Sequence, residues 1–268
     1  MSKIEVVVAT INKNDLSLSS KMKIETDLLI ANQCQEYKYE EANLNGCKVR
    51  MISTATRGVG VNRNFGLLLA QGEILLLADD DIEYHKGYGE KIEKAFKELP
   101  KADVIIFRMQ FIKNGKVYEI DQHKTRKLHI WNGLSFGTYQ IAIKKKVLLR
   151  ENINFTQLFG GGAKYSSGED SLFLIDCFKK KLNIYSHDSL LGDNIRDSST
   201  WFKGFTNKFF YDRGAFAEAA FPHISYLIIF YYLFAYRRVK NITAWKKLRL
   251  MLVGKRGYHN LTAYSDIH

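Results

Sequence analysis

The sequence predicts an α/β fold, with a mostly parallel central sheet and helices on both faces. Three observations lead there. Short, near-continuous apolar runs recur through Met109, at Ile4–Thr10, Asp27–Gln33, Lys48–Thr54, Glu73–Ala78 and Ala102–Met109. Two stretches with helical spacing, Val61–Gly72 and Gly87–Pro100, fall between the later runs. Strand and helix in alternation imply parallel strands joined by crossovers.

Each element has a local reason. Ile4–Thr10 (IEVVVAT) is β-branched and unbroken by charge after Glu5, as expected of a strand buried on both faces. Asp27–Gln33 and Lys48–Thr54 repeat the pattern. Val61–Gly72 (VNRNFGLLLAQG) reads as a helix with Gly72 as its C-cap. Glu73–Ala78 (EILLLA) is a buried strand that runs straight into Asp79, Asp80 and Asp81. Gly87–Pro100 places Ile92, Ala95, Phe96 and Leu99 on one face of an amphipathic helix that Pro100 ends.

After Phe111 the order changes. Asn114-Gly115 marks a hairpin turn before an edge strand, NGKVYEI. TYQIAIKK, Thr138–Lys145, reads as a strand. Gly160–Asp170 is a glycine- and serine-rich loop. Glu169–Lys181 reads as a helix, with acids at its start and lysines at its end in accord with the helix dipole. Leu182–His187 reads as a final core strand. The expected division is a catalytic domain over 1–200, with halves at about 1–111 and 112–200, and a basic helical extension over 201–268.

Composition sets the bounds. The chain has 268 residues, 46% apolar and 13% aromatic, enough for a sizeable core and against disorder. The three cysteines, Cys34, Cys47 and Cys177, form no CxxC pair, so reduced thiols are expected rather than zinc or disulfides. The opening MSKIEVVVAT has too short an apolar run for a secretory signal. Net charge is +12. From Thr200 onward eleven Lys/Arg face three acids, a surplus of eight, which attracts anions.

The aspartates ask for an explanation, because three adjacent carboxylates repel one another. At the carboxyl end of a strand in an α/β sheet they lie where ligands bind. Hard cations such as Mg²⁺ or Mn²⁺ take oxygen ligands, often one or two carboxylates plus substrate phosphates. A solvated acidic turn or a helix cap is the competing reading.

The segment ATRGVGVNRNFGLLLAQGEILLLADDDIEY resembles the core signature of bacterial family 2 glycosyltransferases. VVVATIN is similar to their opening strand, and GEDSLF, Gly168–Phe173, to their downstream Glu-Asp motif. The order and spacing match over roughly Ile4 to Tyr185. The resemblance implies a GT-A fold and an inverting enzyme that uses a nucleotide-sugar donor, a UDP-sugar, with Mn²⁺ or Mg²⁺. It places Asp81 and Asp79 as metal ligands, with Asp79 or Asp80 near the ribose. It places Thr10 and Asn32 at the base and ribose, Asp170 as general base, and Arg57 and Arg63 as contacts to diphosphate or aspartate. One departure stands out: the family commonly carries acids after the second strand, where this chain has Asn32 and Gln33.

The chemistry agrees with those roles. Transfer of a sugar from a nucleotide diphosphate builds negative charge on the leaving phosphate, which a divalent ion stabilises. The acceptor hydroxyl needs a base. Relatives extend glycans or polyprenyl-diphosphate-linked oligosaccharides at the cytoplasmic membrane face in bacterial surface polysaccharide synthesis. The expected partners are therefore a donor, such an acceptor and an anionic membrane surface, with no nucleic acid. The apolar run Ile224–Tyr236 is too short to span a bilayer and ends in Arg237-Arg238, as an interfacial segment would; a buried core helix is the other reading. Trp201, in the polar segment Arg196–Gly204, is a candidate for stacking on a sugar. The competing functions are a sugar nucleotidyltransferase, which usually carries glycines and a basic residue after its first strand, and a basic nucleic-acid- or membrane-binding protein without catalysis.

Overall fold

Burial along the first strand alternates between two cores rather than between core and water. Val6 and Val8 pack on one side of the sheet, Val7 on the other. A strand covered on both faces has no reason to alternate in polarity, hence its unbroken apolar sequence. The structure is a computed structural model that describes residues 3–195 and 204–266. The segment carrying Trp201 lies outside the described residues.

The chain enters through β1 (Ile4–Ile11), a short α1 (Leu18–Lys21), β2 (Asp27–Gln33), β3 (Lys38–Leu44), β4 (Cys47–Thr54), α2 (Val59–Leu69) and β5 (Ile74–Asp79). It continues through β6 (Ile82–Tyr84), α3 (Tyr88–Glu98), β7 (Val104–Lys113), β8 (Lys116–Ile120) and β9 (Arg126–Lys127). Then come β10 (Ile141–Lys144), α4 (Lys145–Arg150), α5 (Glu169–Lys179) and β11 (Ile184–Ile195). The C-terminal part is helical: α6 (Asn207–Ala220), α7 (Ser225–Ala235) and α8 (Ala244–His259).

One sheet runs in the order β3-β4-β2-β1-β5-β10-β7-β11-β6, with β8 beside β7 and β9 beside β11. β4, β2, β1 and β5 are mutually parallel, as are β7 and β11, while β10 runs antiparallel between β5 and β7. The carboxyl ends of β1, β2, β4 and β5 therefore share one edge. α3 covers one face with Ile92, Ala95 and Phe96; α2 and α5 cover the other with Leu67, Phe173, Leu174 and Cys177.

The structure corrects three local readings. Gly72 is not the cap of α2, which ends at Leu69 with Ala70 as its C-cap. Gly72 instead turns tightly against β1: its N–H donates to Glu5 Oε2 at 2.9 Å, and a Cβ there would lie 2.7 Å from that of Glu5. TYQ of the predicted TYQIAIKK strand is a single 3₁₀ turn, Thr138–Gln140, before β10. The last core strand runs eight residues past His187, because it bulges between Ser186 and Gly192 and then pairs with β6. The Asn114-Gly115 turn is as expected, with positive φ at both residues.

The C-terminal helices pack onto the glycine-rich loop. Tyr211 and Phe216 of α6 join Phe159, Tyr165 and Ile175 in one cluster. α6 and α8 cross at two glycines, where a Cβ on Gly214 would lie 1.8 Å from Met251 O and one on Gly254 1.9 Å from Tyr211 O. Asp212, buried in α6, accepts the Ser166 N–H at 3.0 Å and the Lys208 ammonium at 2.6 Å. Loop 160–168 is thus fixed by side chains far along the chain.

Candidate active site

Arg63 is the centre of the site. Helical spacing on α2 turns it inward, where it is 7% exposed. Its Nη2 donates to Asp79 Oδ1 at 2.8 Å, and its Nη1 to Asp170 Oδ1 at 3.0 Å and Glu169 Oε1 at 3.4 Å. One guanidinium so joins the end of β5 to the start of α5, a use of its planar fork that a lysine cannot copy. Burial works against its charge, but the carboxylates of Asp79, Asp170 and Glu169 outweigh that and hold it protonated.

Asp170 has a second anchor. The Thr138 hydroxyl, 1% exposed at the 3₁₀ turn, donates to the same Oδ1. Both donors hold one oxygen, and Oδ2 has no partner among the described residues. The side chain is about a third exposed, open to a substrate. Glu169 is more enclosed. Burial, reinforced by the neighbouring Asp170 charge, pushes its carboxyl above the ordinary value despite Arg63. A group raised in the fold favours the folded state below its unfolded pKa and penalises it as pH rises through the folded pKa. Glu169→Gln is therefore expected to raise the melting temperature at pH 7.5. The gain should vanish as pH falls toward 4.5. Thermal unfolding from pH 4 to 8 reads this, and an equal or lower Tm at pH 7.5 would contradict it.

Asp80 belongs to a different group. Its Oδ2 accepts the Thr10 hydroxyl at 2.5 Å and faces Lys13 Nζ at 3.1 Å; its carbonyl accepts Lys21 Nζ at 2.9 Å. Burial raises its pKa, but the Thr10 hydroxyl and the Lys13 ammonium outweigh burial and leave it below the ordinary value. The adjacent aspartates thus face different partners, as alternating side chains require. Asp81 closes the strand end, its carbonyl accepting the Ile195 N–H at 2.9 Å.

Asn32 is held by its neighbours. It is fully buried; its Oδ1 accepts the Lys13 N–H at 2.9 Å, and its Nδ2 donates to Lys13 O at 2.8 Å and Ser53 Oγ at 2.9 Å. These contacts tie the Asn32 amide to the loop after β1 and to β4. Asn62 acts similarly, donating to Thr10 O at 3.1 Å and Ala31 O at 2.8 Å.

Beside these groups lies a cavity of about 570 Å³. Its walls come from the ends of β1 (Ile11, Asn12), β2 (Gln33, Cys34) and β4 (Thr56, Arg57), closed by Gly161 and Gly162 of the glycine-rich loop. The Val59 N–H donates to Gly161 O at 2.9 Å and holds that loop in place. Arg57 stands exposed at the rim with no ion-pair partner among the described residues.

Among the described residues no three His, Cys, Asp or Glu side chains stand together as a metal cage. Asp79 and Asp80 already face cations. A divalent ion at this edge would depend on donor phosphates to complete its oxygen shell, which is how hard cations use one or two carboxylates.

The model of glycosyl transferase family 2 matches residues 27–159. That span runs from β2 through the strand-end aspartates and stops at Phe159, just before the glycine-rich loop. Residues 27–159 form a glycosyl transferase family 2 domain. No curated protein matches. Among solved structures, the fold matches S. aureus TarS 1-349, with 16% identity and a TM-score of 0.58 over 98% of this chain and 93% of that one. The same protein in complex with UDP-GlcNAc gives a TM-score of 0.59 at 16% identity, and in complex with UDP 0.56 at 17%, with the same coverage. The fold is GT-A, and the family assignment makes this family 2 member a glycosyltransferase.

Sequence reasoning missed Thr138, Asn62 and Lys13. Thr138 read as the first residue of a strand, and no local pattern distinguishes a hydroxyl aimed at a carboxylate more than thirty positions away. Asn62 stands next to Arg63 in the motif, a position that could have flagged it.

Proposed function

We propose that this family 2 member transfers a sugar from a UDP-sugar to a hydroxyl acceptor in one in-line displacement that inverts the anomeric centre. The observation that carries the reading is Arg63, which binds Asp79 and Asp170 at once and makes the strand-end aspartates and the helix-start acid one site. The cavity at the β1, β2 and β4 ends would hold the nucleotide. Arg57 at its rim would meet the diphosphate, and Thr10 with Asp80 would lie by the ribose. A UDP donor is supported by the likeness to a fold solved with UDP-GlcNAc and with UDP.

Asp170 Oδ2 takes the proton of the acceptor hydroxyl. The hydroxyl oxygen bonds to the anomeric carbon, the bond from that carbon to the phosphate oxygen breaks, and UDP leaves with the electron pair. Thr138 and Arg63 fix Oδ1, so Oδ2 keeps one direction. Asp81 and the second oxygen of Asp79 are the groups that would hold Mn²⁺ or Mg²⁺, whose charge lowers the cost of the leaving diphosphate.

Thermal shift with UDP, GDP, CMP and dTDP, with and without Mn²⁺, on wild type and Asp81→Asn, tests the donor reading. Stabilisation by UDP alone, dependent on Mn²⁺ and lost in Asp81→Asn, is expected. No stabilisation by any nucleotide would overturn it.

The acceptor is a glycan, carried on a lipid at the inner face of the bacterial cell membrane. α7 supports this. Tyr226, Leu227, Phe230, Tyr231 and Phe234 form an exposed apolar stripe, Phe234 at 65% exposure. Arg237, Arg238, Lys240 and Lys246 follow it. Such a stripe with a basic flank seats in an anionic headgroup layer, each basic residue contributing about 1 kcal/mol. Lys247 is not available to lipid, because it is buried and caps the Tyr236 carbonyl at 2.9 Å. No helix among the described residues is long and apolar enough to cross a membrane. Co-sedimentation with phosphatidylglycerol vesicles is expected at low salt and should weaken as salt rises. Full recovery in the low-salt supernatant would refute it.

A further inference from the structure

Five lysines gather at the end of the sheet opposite the aspartates. Lys3 precedes β1, Lys97 lies in the last turn of α3, Lys144 ends β10, and Lys145 and Lys146 open α4. They line a cavity of about 640 Å³. Among the described residues, Glu73 is the single acid in its lining. None of the five lysines has an ion pair among the described residues, whereas Lys13, Lys23, Lys48, Lys208 and Lys255 elsewhere each face a carboxylate within 4 Å.

The cluster carries a visible electrostatic cost. Burial pushes the Lys144 ammonium below its ordinary value; Asp103 opposes the shift, and the charges of Lys146 and Lys3 add to it. Lys144 and Lys145 do find carbonyls, Pro100 O at 3.3 Å and Ala70 O at 2.6 Å. A carbonyl takes one of three ammonium donors and cancels no charge. Phe96 and Leu149 form an apolar wall, with Lys144 Nζ 5.4 Å from the Phe96 ring centre. Five lysines against Glu73 leave a surplus of four positive charges, which a low-dielectric wall focuses into the cavity.

We propose that this cavity binds a soluble, multiply charged phosphate ligand, of the di- or triphosphate class, at a site separate from the sugar-transfer centre. Lysine serves phosphate as a point charge. The volume is that of a small-molecule site. A concave site encloses a free ligand, whereas a bilayer would meet only its rim.

The test is calorimetric titration of the full chain with inorganic tripolyphosphate, at fixed ionic strength, with and without UDP. Wild type is compared with Lys97→Gln/Lys146→Gln and with Lys240→Gln/Lys246→Gln, which removes equal charge elsewhere. All four lysines are exposed, and a thermal melt of each variant checks folding. The expected result is one saturable site, indifferent to UDP, about tenfold weaker in the cavity variant and unchanged in the other. No saturable binding, or equal loss in both variants, would overturn the proposal. So would tripolyphosphate proving inert while phosphatidylglycerol vesicles bind through Lys97 and Lys146, since the site would then serve a lipid headgroup.

Discussion

Asp170→Asn is expected to lower kcat for sugar transfer by about 10²–10⁴-fold, the usual contribution of a positioned general base. The effect should fall on kcat and leave UDP affinity intact, because the nucleotide cavity is walled by other residues. The substitution is gentle on the fold. An amide oxygen at Oδ1 still accepts from Thr138 and Arg63. What disappears is a proton acceptor at Oδ2, which becomes an N–H₂ donor. Steady-state transfer assays with UDP thermal shift in parallel separate the two quantities. An unchanged kcat would remove Asp170 from the base role. A lost UDP shift with unchanged melting would place it in donor binding instead.

Much of this site was legible because it is local. The run from Glu73 through Asp81 reads directly as buried strand and strand-end acids, since a strand covered on both faces leaves an unbroken apolar signal. Glu169 and Asp170 read as a helix start by the dipole argument and occupy one. Long-range partners were not legible. Arg63 is 107 positions from Asp170, and its spacing on α2 says only that it faces inward. Asn32 shows the same limit: its place near a strand end was legible, but its partners Lys13 and Ser53 were not, because which neighbour claims an amide is a tertiary fact. β3 and β6 escaped notice because both are edge strands. β3 is polar and half-exposed, and β6 has three residues, too few to show a period. α7 shows the limit of hydropathy. Its apolar sequence fits a core helix equally well, and the exposed Phe230 and Phe234 decide otherwise.

Arg63→Met is expected to destabilise the protein by about 3 kcal/mol and to abolish transfer. The buried cation faces three carboxylates, and removing it leaves them with one another. Breaking a buried pair from one side costs about 3–5 kcal/mol. Asp79 and Asp170 are each about a third exposed, so solvent screens part of their repulsion and the lower end applies. Arg63→Lys separates charge from geometry. An ammonium restores the positive charge but lacks the planar fork that reaches β5 and α5 together. It should recover much of the stability and little of the activity. Urea unfolding with linear extrapolation reads the first quantity. A cycle with Asp79→Asn isolates the cause: if the loss in Arg63→Met comes from uncompensated carboxylates, the double variant should be less destabilised than the two single losses summed. Strict additivity would mean that Arg63 stabilises by packing against Phe155, 5.2 Å from its guanidinium carbon, and that the bridge between the two acid motifs is incidental.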